Sequence, residues 1–347
     1  FIKITLLVLF GSLLLTISAK IKMAVFPILV MSLLTASPLY AKDKIVWQYS
    51  LSDIVPNTVY MIYSEEIIPA RVKEATKGRL ELVPLRGVVK STDVLDAVRD
   101  RRVDMGVQGA PHRADTALYN FAAIPGLVQY EILKAAHPDL EKIFEADIRS
   151  RFGLEMLGYG YWPRQMVLSK KPIATFEDLK GKKLRAHSVA LQLVLRSAGA
   201  KPVAMPFGDV YVGLQRNTIE GAVSGMVAFS AVKWYENAKF TSSWPLGSAN
   251  YIFIVNSDAW AELPDDLKPI VKKTVYDAGL ETWQGALDEE QRTITVLKEA
   301  GVIHTVPSES DRAKLSAGAK PLLAEWKKRA GAQSKAVLDV LNKHKIK

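Results

Sequence analysis

From Lys44 onward the apolar residues follow two alternating periods. Short runs of period two, KIVWQYS, RLELVPL and VDMGVQ, are separated by Asn57 to Thr76 and Thr92 to Arg101, where apolar residues recur every three or four positions. Period two puts successive side chains on opposite faces of a strand, and a period of 3.6 lines one face of a helix. The order predicts a βαβαβ half. A mixed, helical connection follows, and then the strand-like stretch LEMLGYGYWPRQMVLS. The same order then returns as KKLRA, a helix Val189 to Ala198 closed by Gly199, KPVAMP, a helix Val210 to Arg216, and IEGAVSG.

The repetition extends to individual residues. DVLDAVRDRRVDMGVQ from Asp93 aligns without gaps on DVYVGLQRNTIEGAVS from Asp209. Val98 matches Leu214, Val103 matches Ile219, Asp104 matches Glu220 and Val107 matches Val223, so Gln108 and Ser224 occupy equivalent strand ends. Each copy opens on an aspartate suited to a helix N-cap. In open α/β sheets, ligands collect beyond the carboxyl ends of the strands. Gln108 and Ser224 are therefore expected to face one crevice from the two halves.

Beyond the second half, YIFIVNSDAW reads as a strand and LPDD opens a helix running to about Ala300. Leu267, Val271, Val275 and Ala278, then Trp283, Leu287, Ile294 and Leu297, form its apolar stripe. A helix of ~35 residues is ~50 Å long, enough to brace two lobes. The chain ends in VIHTV and two amphipathic, Lys-rich helices. The N-terminus differs in kind: Ala24 to Leu34 is an apolar run behind Lys20 and Lys22, followed by SPLYA, the layout of a secretory signal with cleavage after Ala41. The upstream apolar run, Ile4 to Ala19, is shorter than the ~20 residues of a spanning helix, and translation is expected to start at Met23. The expected divisions are an export segment 1–41, an N-terminal lobe 42–163, a C-terminal lobe 164–250, and 251–347 for the crossing strand, the long helix and the C-terminal helices.

Composition narrows the chemistry. Of the 347 residues, 49% are hydrophobic and 24% charged, an ordinary globular balance. The net charge is +10, but basic residues are interleaved with acidic ones, as at Glu141 and Lys142, so no phosphate-tracking stripe forms and nucleic acid is not an expected partner. There is no cysteine, which removes disulfides, thiolate metal sites and cysteine nucleophiles. His112 has no second histidine at ligand spacing, and neither a metal nor another cofactor is implied. No GxSxG, HExxH, GxxxxGK[ST] or strand-following GxGxxG occurs, which removes the local signatures of the commonest enzymes.

The most informative side chain is Arg185, placed where the strand KKLRA ends and the next helix begins. A helix N-terminus favours anions, and a guanidinium adds a planar fork that grips a carboxylate through two parallel hydrogen bonds. Trp162, beside Pro163 and Arg164, offers a large apolar face at a lobe crossing. His187 reads more simply as a linker before a helix than as a ligand contact.

Taken together, TKGRLEL at Thr76, FEDLKGKKLR at Phe176, PFGDVYVGLQRNTIEG at Pro206 and NSDAWAELPDD at Asn256 resemble the periplasmic substrate-binding proteins of tripartite ATP-independent periplasmic (TRAP) transporters, which include the C4-dicarboxylate-binding proteins. The resemblance covers Lys44 to about Gly301. It implies an α/β fold of two lobes with crossing hinge strands, closing over a small carboxylate that is passed to a membrane permease. By the same resemblance, Arg185 pairs with the carboxylate and Arg164 matches a second basic position. The expected ligand-binding set is Arg185, Arg164, Trp162, Ser224 and Gln108, with no catalytic residue. Asp209, Asn217 and Ser224 depart from the family's usual glutamate, glycine and asparagine, and Ser224 leaves a sialic acid type of ligand unassigned. The competing reading is a secreted α/β enzyme acting on a small carboxylate.

Overall fold

Two mixed β-sheets carry the fold. The computed structural model describes residues 44–51, 55, 57–109, 115–124, 127 and 130–344; the expected cleavage point at Ala41, the start at Met23 and the loop residue His112 lie outside them. The first sheet has the order β2-β1-β3-β10-β4, built from β1 (Ile45–Leu51), β2 (Leu80–Arg86), β3 (Met105–Gly109), β4 (Leu154–Tyr161) and β10 (Asn250–Asn256). The second has the order β11-β9-β5-β8-β6-β7, from β5 (Gln165–Ser169), β6 (Lys183–Arg185), β7 (Lys201–Val203), β8 (Gly221–Gly225), β9 (Phe240–Ser242) and β11 (Ile303–Thr305). The βαβ strands pair in parallel, β1 with β2 and β3, and β6 with β7 and β8. Strands β10 and β5 join antiparallel.

In the first half, helix α1 runs without a break through Val59–Ile62, a π turn at Tyr63–Ile67 and Ile68–Ala75, and α2 is Val94–Arg99. Helix α3 (Tyr130–Phe152) supplies the helical connection. In the second half, α4 is Val189–Ser197, α5 is Val210–Gln215 and α6 is Met226–Ala231. Helix α7 (Ser257–Glu262) precedes the long α8 (Lys268–Glu299).

The internal repeat holds down to single hydrogen bonds. Asp104 donates its N–H to Gln48 O at 3.0 Å, and its carboxylate accepts Gln48 N–H at 2.8 Å. Glu220 makes the same pair with Lys183, at 2.8 and 3.0 Å. Four residues before the second helix-to-strand turn is complete, Asn217 has φ 59°, and its counterpart Arg101 has φ 54°. This left-handed conformation explains why a glycine serves well there and why asparagine can replace it. One detail differs from expectation: Asp93 and Asp209 stand at the N-cap positions, but neither side chain caps its helix. The backbone at both is α-like, with ψ of −2° and −10°, which turns the side chain away from the first-turn N–H groups that an extended N-cap reaches.

The stretch LEMLGYGYWPRQMVLS is two strands in different sheets, broken at Trp162, Pro163 and Arg164. Pro163 has no N–H for a ladder, so the chain leaves one sheet there and enters the other. It returns between β9 and β10. The two crossing segments run side by side, with Trp162 N–H on Ala249 O at 2.7 Å and Gln165 N–H on Gly247 O at 2.9 Å. The expected strand YIFIVNSDAW likewise ends at Asn256, whose Oδ1 accepts Asp258 and Ala259 N–H at 2.9 and 3.1 Å and starts α7.

Helix α8 has 32 residues, hence ~48 Å of length. It packs on β4 and α1 of the first half and on α6 and β11 of the second. Three terminal helices follow rather than two: α9 (Glu309–Ala317), α10 (Lys320–Ala330) and α11 (Gln333–Lys343). Gly331, at φ 68°, separates the last two. They are docked: Trp326 of α10 donates to Ala117 O at 2.8 Å, and α11 lies along α3. Among the described residues, no helix is long and apolar enough to cross a membrane.

Candidate ligand-binding site

A cavity of about 440 Å3 lies between the two sheets, walled by the crossing segment at Trp162 and Pro163, by Thr58, Ser91 and Thr92 from the first half, and by the strand ends of the second. That size suits a small-molecule site. Strand β6 delivers Arg185 to it. The strand is only three residues long, held in register by Arg185 opposite Val203 on one side and Ala222 on the other. Immediately after it, Ser188 caps α4 by accepting Leu191 N–H at 3.3 Å, so Arg185 is pinned at a strand end just ahead of a helix start.

Arg185 is 4% exposed. Its Nε donates to Met205 O at 3.0 Å and its Nη1 to Val223 O at 3.3 Å, so carbonyls just past β7 and within β8 aim the guanidinium. Two fixed contacts pre-orient the fork before any anion arrives, which lowers the ordering cost of binding. Ser224, next to Val223, is half-buried and lines the same cavity. Trp162 lines it too, packed on Tyr60 with ring centroids 4.2 Å apart and edge-on to Tyr251 at 5.5 Å.

The other two expected residues lie elsewhere. Gln108 is fully buried and does not line the cavity: its Oε1 accepts Leu95 N–H at 3.0 Å, and its Nε2 donates to Ser91 O and Gly109 O, both at 2.9 Å. The longer side chain folds back onto the start of α2, whereas Ser224 at the equivalent strand end cannot reach that far. Gln108 therefore holds Ser91, and Ser91 meets the cavity. Arg164 points to the opposite side of the crossing segments, into a second cavity of about 620 Å3 lined also by Met166, Trp244, Glu290 and His304. Strict alternation would put Trp162 and Arg164 on one side; they part because the chain leaves the first sheet after Tyr161 and enters the second at Gln165, so the three residues between follow no single strand.

Sequence reading passed over Gln165, Met205, Phe207 and Val227 and set His187 aside as a linker; all five line the main cavity. The Gln165 amide nitrogen donates to Pro163 O at 3.2 Å, which leaves Oε1 to accept from His187 Nε2 at 2.9 Å. The pair ties the crossing segment to the loop after β6. The signal for Met205 and Phe207 was present in KPVAMPFGDV, as an apolar cluster just beyond a strand end.

No Asp or Glu lines the main cavity among the described residues. Glu289 on α8 shares a small void with Thr58 and Trp162. Its carboxylate accepts Val59 N–H at 3.2 and 3.3 Å, at the first turn of α1. Burial pushes its pKa up to about 7, the Val59 N–H opposing in part. Among the described residues there is no cluster of three or more His, Asp or Glu placed to hold a metal ion.

With that geometry in view, the comparisons with known proteins are specific. The profile of the bacterial extracellular solute-binding protein family 7 matches residues 56–329. The 2,3-diketo-L-gulonate-binding periplasmic protein of Escherichia coli is 26% identical over 240 residues, which is 67% of this chain and 72% of that one. In fold, the chain is similar to a Bordetella pertussis extracytoplasmic solute receptor binding pyroglutamic acid, with TM-score 0.80 and 20% identity over 86% of this chain and 99% of that one. It is also similar to a TRAP periplasmic solute-binding protein from Desulfovibrio salexigens with bound orotic acid, with TM-score 0.78 and 22% identity over 87% and 98% of the two chains. The profile covers every strand except β1 and every residue of the cavity wall except Val55, and the chain belongs to the bacterial extracellular solute-binding protein family 7.

Proposed function

We propose that this protein is the extracytoplasmic receptor of a TRAP transporter, capturing a small organic acid in the cavity between its two lobes and presenting it to the membrane permease. The observation that carries the reading is Arg185, nearly buried at the cavity wall with its guanidinium oriented by two backbone carbonyls. Its planar, permanently charged fork at the cavity wall matches a carboxylate. The relatives support this: 2,3-diketo-L-gulonate, pyroglutamate and orotate are all carboxylates.

The mechanism is binding coupled to closure. The acid's carboxylate meets Arg185 from the second lobe, its body lies against Trp162 at the crossing, and the first lobe covers it with Thr58, Ser91 and Thr92. Rotation about the paired crossing segments then shields the ion pair from water, which strengthens it. A permease that recognises the closed form reads ligand occupancy. Moving the population from 1:99 to 99:1 needs ~5.5 kcal/mol of preference for the closed state. No step of covalent chemistry is involved, and the protein returns the acid unchanged.

Calorimetry with a panel of mono-, di- and keto-acids tests the reading, with the wild-type chain and Arg185→Ala compared side by side. Loss of a charge-assisted bond of about 1.5–3 kcal/mol predicts at least a ~10-fold weaker affinity in the variant. Equal affinities would remove Arg185 from the site, and turnover of a bound acid, followed by NMR, would favour the enzyme reading.

A further inference from the structure

One face of the long helix α8 holds helix α1 along its length. Glu281, Gly285 and Glu289 stand four residues apart, a spacing that lines one side of a helix. Glu281 accepts from Arg71 Nη1 and Nη2 at 2.7 and 2.9 Å and from Tyr63 OH at 3.1 Å. Gly285 lets the two helices touch, since a Cβ there would lie 2.8 Å from Val59 Cγ1. Glu289 accepts Val59 N–H through both oxygens, at 3.2 and 3.3 Å. The Glu281 contacts are exposed and contribute little, whereas Glu289 is buried.

The buried end of this stripe adjoins the ligand cavity. The first N–H groups of a helix have no acceptor within it. At the start of α1 the Thr58 hydroxyl accepts Met61 N–H at 3.3 Å and donates to Val55 O at 2.8 Å, while Val59 N–H is left to Glu289. Val55 and Thr58 line the main cavity, and Glu289 does not. Helix α8 also packs on α6, whose Val227 and Ala228 line the same cavity from the second half. Thr58, Trp162, Val227 and Glu289 meet around one small void. A single helix therefore references both walls.

We propose that Glu289 is a positioning residue for ligand binding: without touching the acid, its carboxylate fixes the start of α1, and with it Val55 and Thr58, against Trp162 and α6. This role rests on the cavity's being the ligand site and adds to it the residue that sets one of its walls. A wall fixed before binding lowers the ordering cost of enclosing a small acid.

Three variants of the full chain test it. Glu289→Leu removes the acceptor at similar size, Glu289→Gln keeps an oxygen of the same reach, and Gly285→Ala leaves the carboxylate but sets a methyl against Val59. Hydrogen exchange of the acid-free chain over residues 57–62 is expected to quicken ~10-fold in Glu289→Leu and to stay near wild type in Glu289→Gln. Calorimetry with pyroglutamate, orotate and succinate reads affinity. The acid that the wild-type chain binds is expected to bind ~10-fold more weakly to Glu289→Leu and Gly285→Ala, and within ~2-fold of wild type to Glu289→Gln. A lowered melting temperature of Glu289→Leu with unchanged affinity would make Glu289 merely structural and overturn the role. Equal losses of affinity in the Leu and Gln variants, or unchanged exchange over residues 57–62, overturn it too. If Glu289→Leu does not fold, unchanged affinity in Gly285→Ala has the same force. Failure of the wild-type chain to bind these acids and the wider panel overturns the carboxylate reading instead, and the exchange rates still decide whether Glu289 holds α1.

Discussion

The carboxylate of Glu290 on α8, with its side chain 1% exposed, meets the guanidinium of Arg164 at 2.5 Å, and Arg164 itself is 54% exposed. The long helix is thereby clipped to the crossing segment between the two sheets. The asymmetry in exposure predicts an asymmetry in mutants. Arg164→Ala strands a buried carboxylate and should cost about 3 kcal/mol of stability, whereas Glu290→Gln leaves a solvated arginine and should cost about 1 kcal/mol or less. Urea midpoints of the two variants measure the difference; equal losses would mean that the pair acts as a surface contact.

Arg185→Lys is expected to behave nearly as badly as Arg185→Ala in ligand binding. Lysine keeps the charge but has no Nε to donate to Met205 O and no fork to place beside a carboxylate. Recovery of wild-type affinity by lysine would show that only the point charge matters.

Gln108 and Ser224, equivalent in the repeat, should separate by readout. Gln108→Ala orphans Leu95 N–H and two carbonyls in the interior and should lower stability by about 1–3 kcal/mol. Ser224→Ala should leave the melting temperature unchanged and weaken ligand binding by about 1 kcal/mol, roughly fivefold. The opposite pattern would exchange their roles.

Stability should fall as pH rises from near neutrality to 8. Burial and the neighbouring charge of Glu145 raise Glu141 to about 8 against the opposing effect of Lys272, and burial raises Glu289 to about 7. A raised carboxylate is protonated in the folded chain where the unfolded chain has already released its proton. Its contribution is full below the unfolded value and is lost as pH climbs through the folded one. His137, lowered to about 4 by burial, acts in the opposite sense, with stability gained from about pH 4 to 6.5 and flat above. Glu141→Gln should therefore flatten the decline between pH 7 and 8 in urea titrations, and a decline of unchanged slope would clear Glu141 of the effect.

Gly247 in the second crossing segment has φ 75°, and a Cβ there would lie 2.3 Å from Ala122 O and 2.9 Å from Ala123 backbone atoms. Gly247→Ala should cost more than the ~1–2 kcal/mol of a left-handed backbone alone, because backbone cannot move aside as a side-chain tip can. A thermal-melt shift near zero would show that the crossing segment has room to relax.

Much of the fold was legible because it depends on local period. The two βαβαβ halves, the long helix and the Asp104 and Glu220 correspondence all follow from spacing along the chain. Arg185, Trp162 and Ser224 were legible for the same reason, as residues at strand ends or at a crossing. Breaks within apolar runs were harder to see: Pro163 divides β4 from β5, and Asn256 turns the end of YIFIVNSDAW into a helix, each through one residue's backbone chemistry.

The sequence by itself determined the strand and helix order, the repeat and the presence of an arginine at an anion-favouring strand end, since these are set by neighbours a few positions apart. Tertiary structure alone decided which polar strand ends reach the cavity. Gln108 and Ser224 occupy the same place in the repeat, yet one side chain is long enough to satisfy the start of α2 and the other is not. Arg164 and Trp162 are two positions apart, yet fall on opposite sides of the crossing, one against Glu290 from a helix more than a hundred residues away and one against the cavity. The reason is physical: a buried polar group takes whatever partner the packed chain brings within hydrogen-bond reach, and that partner is not encoded nearby.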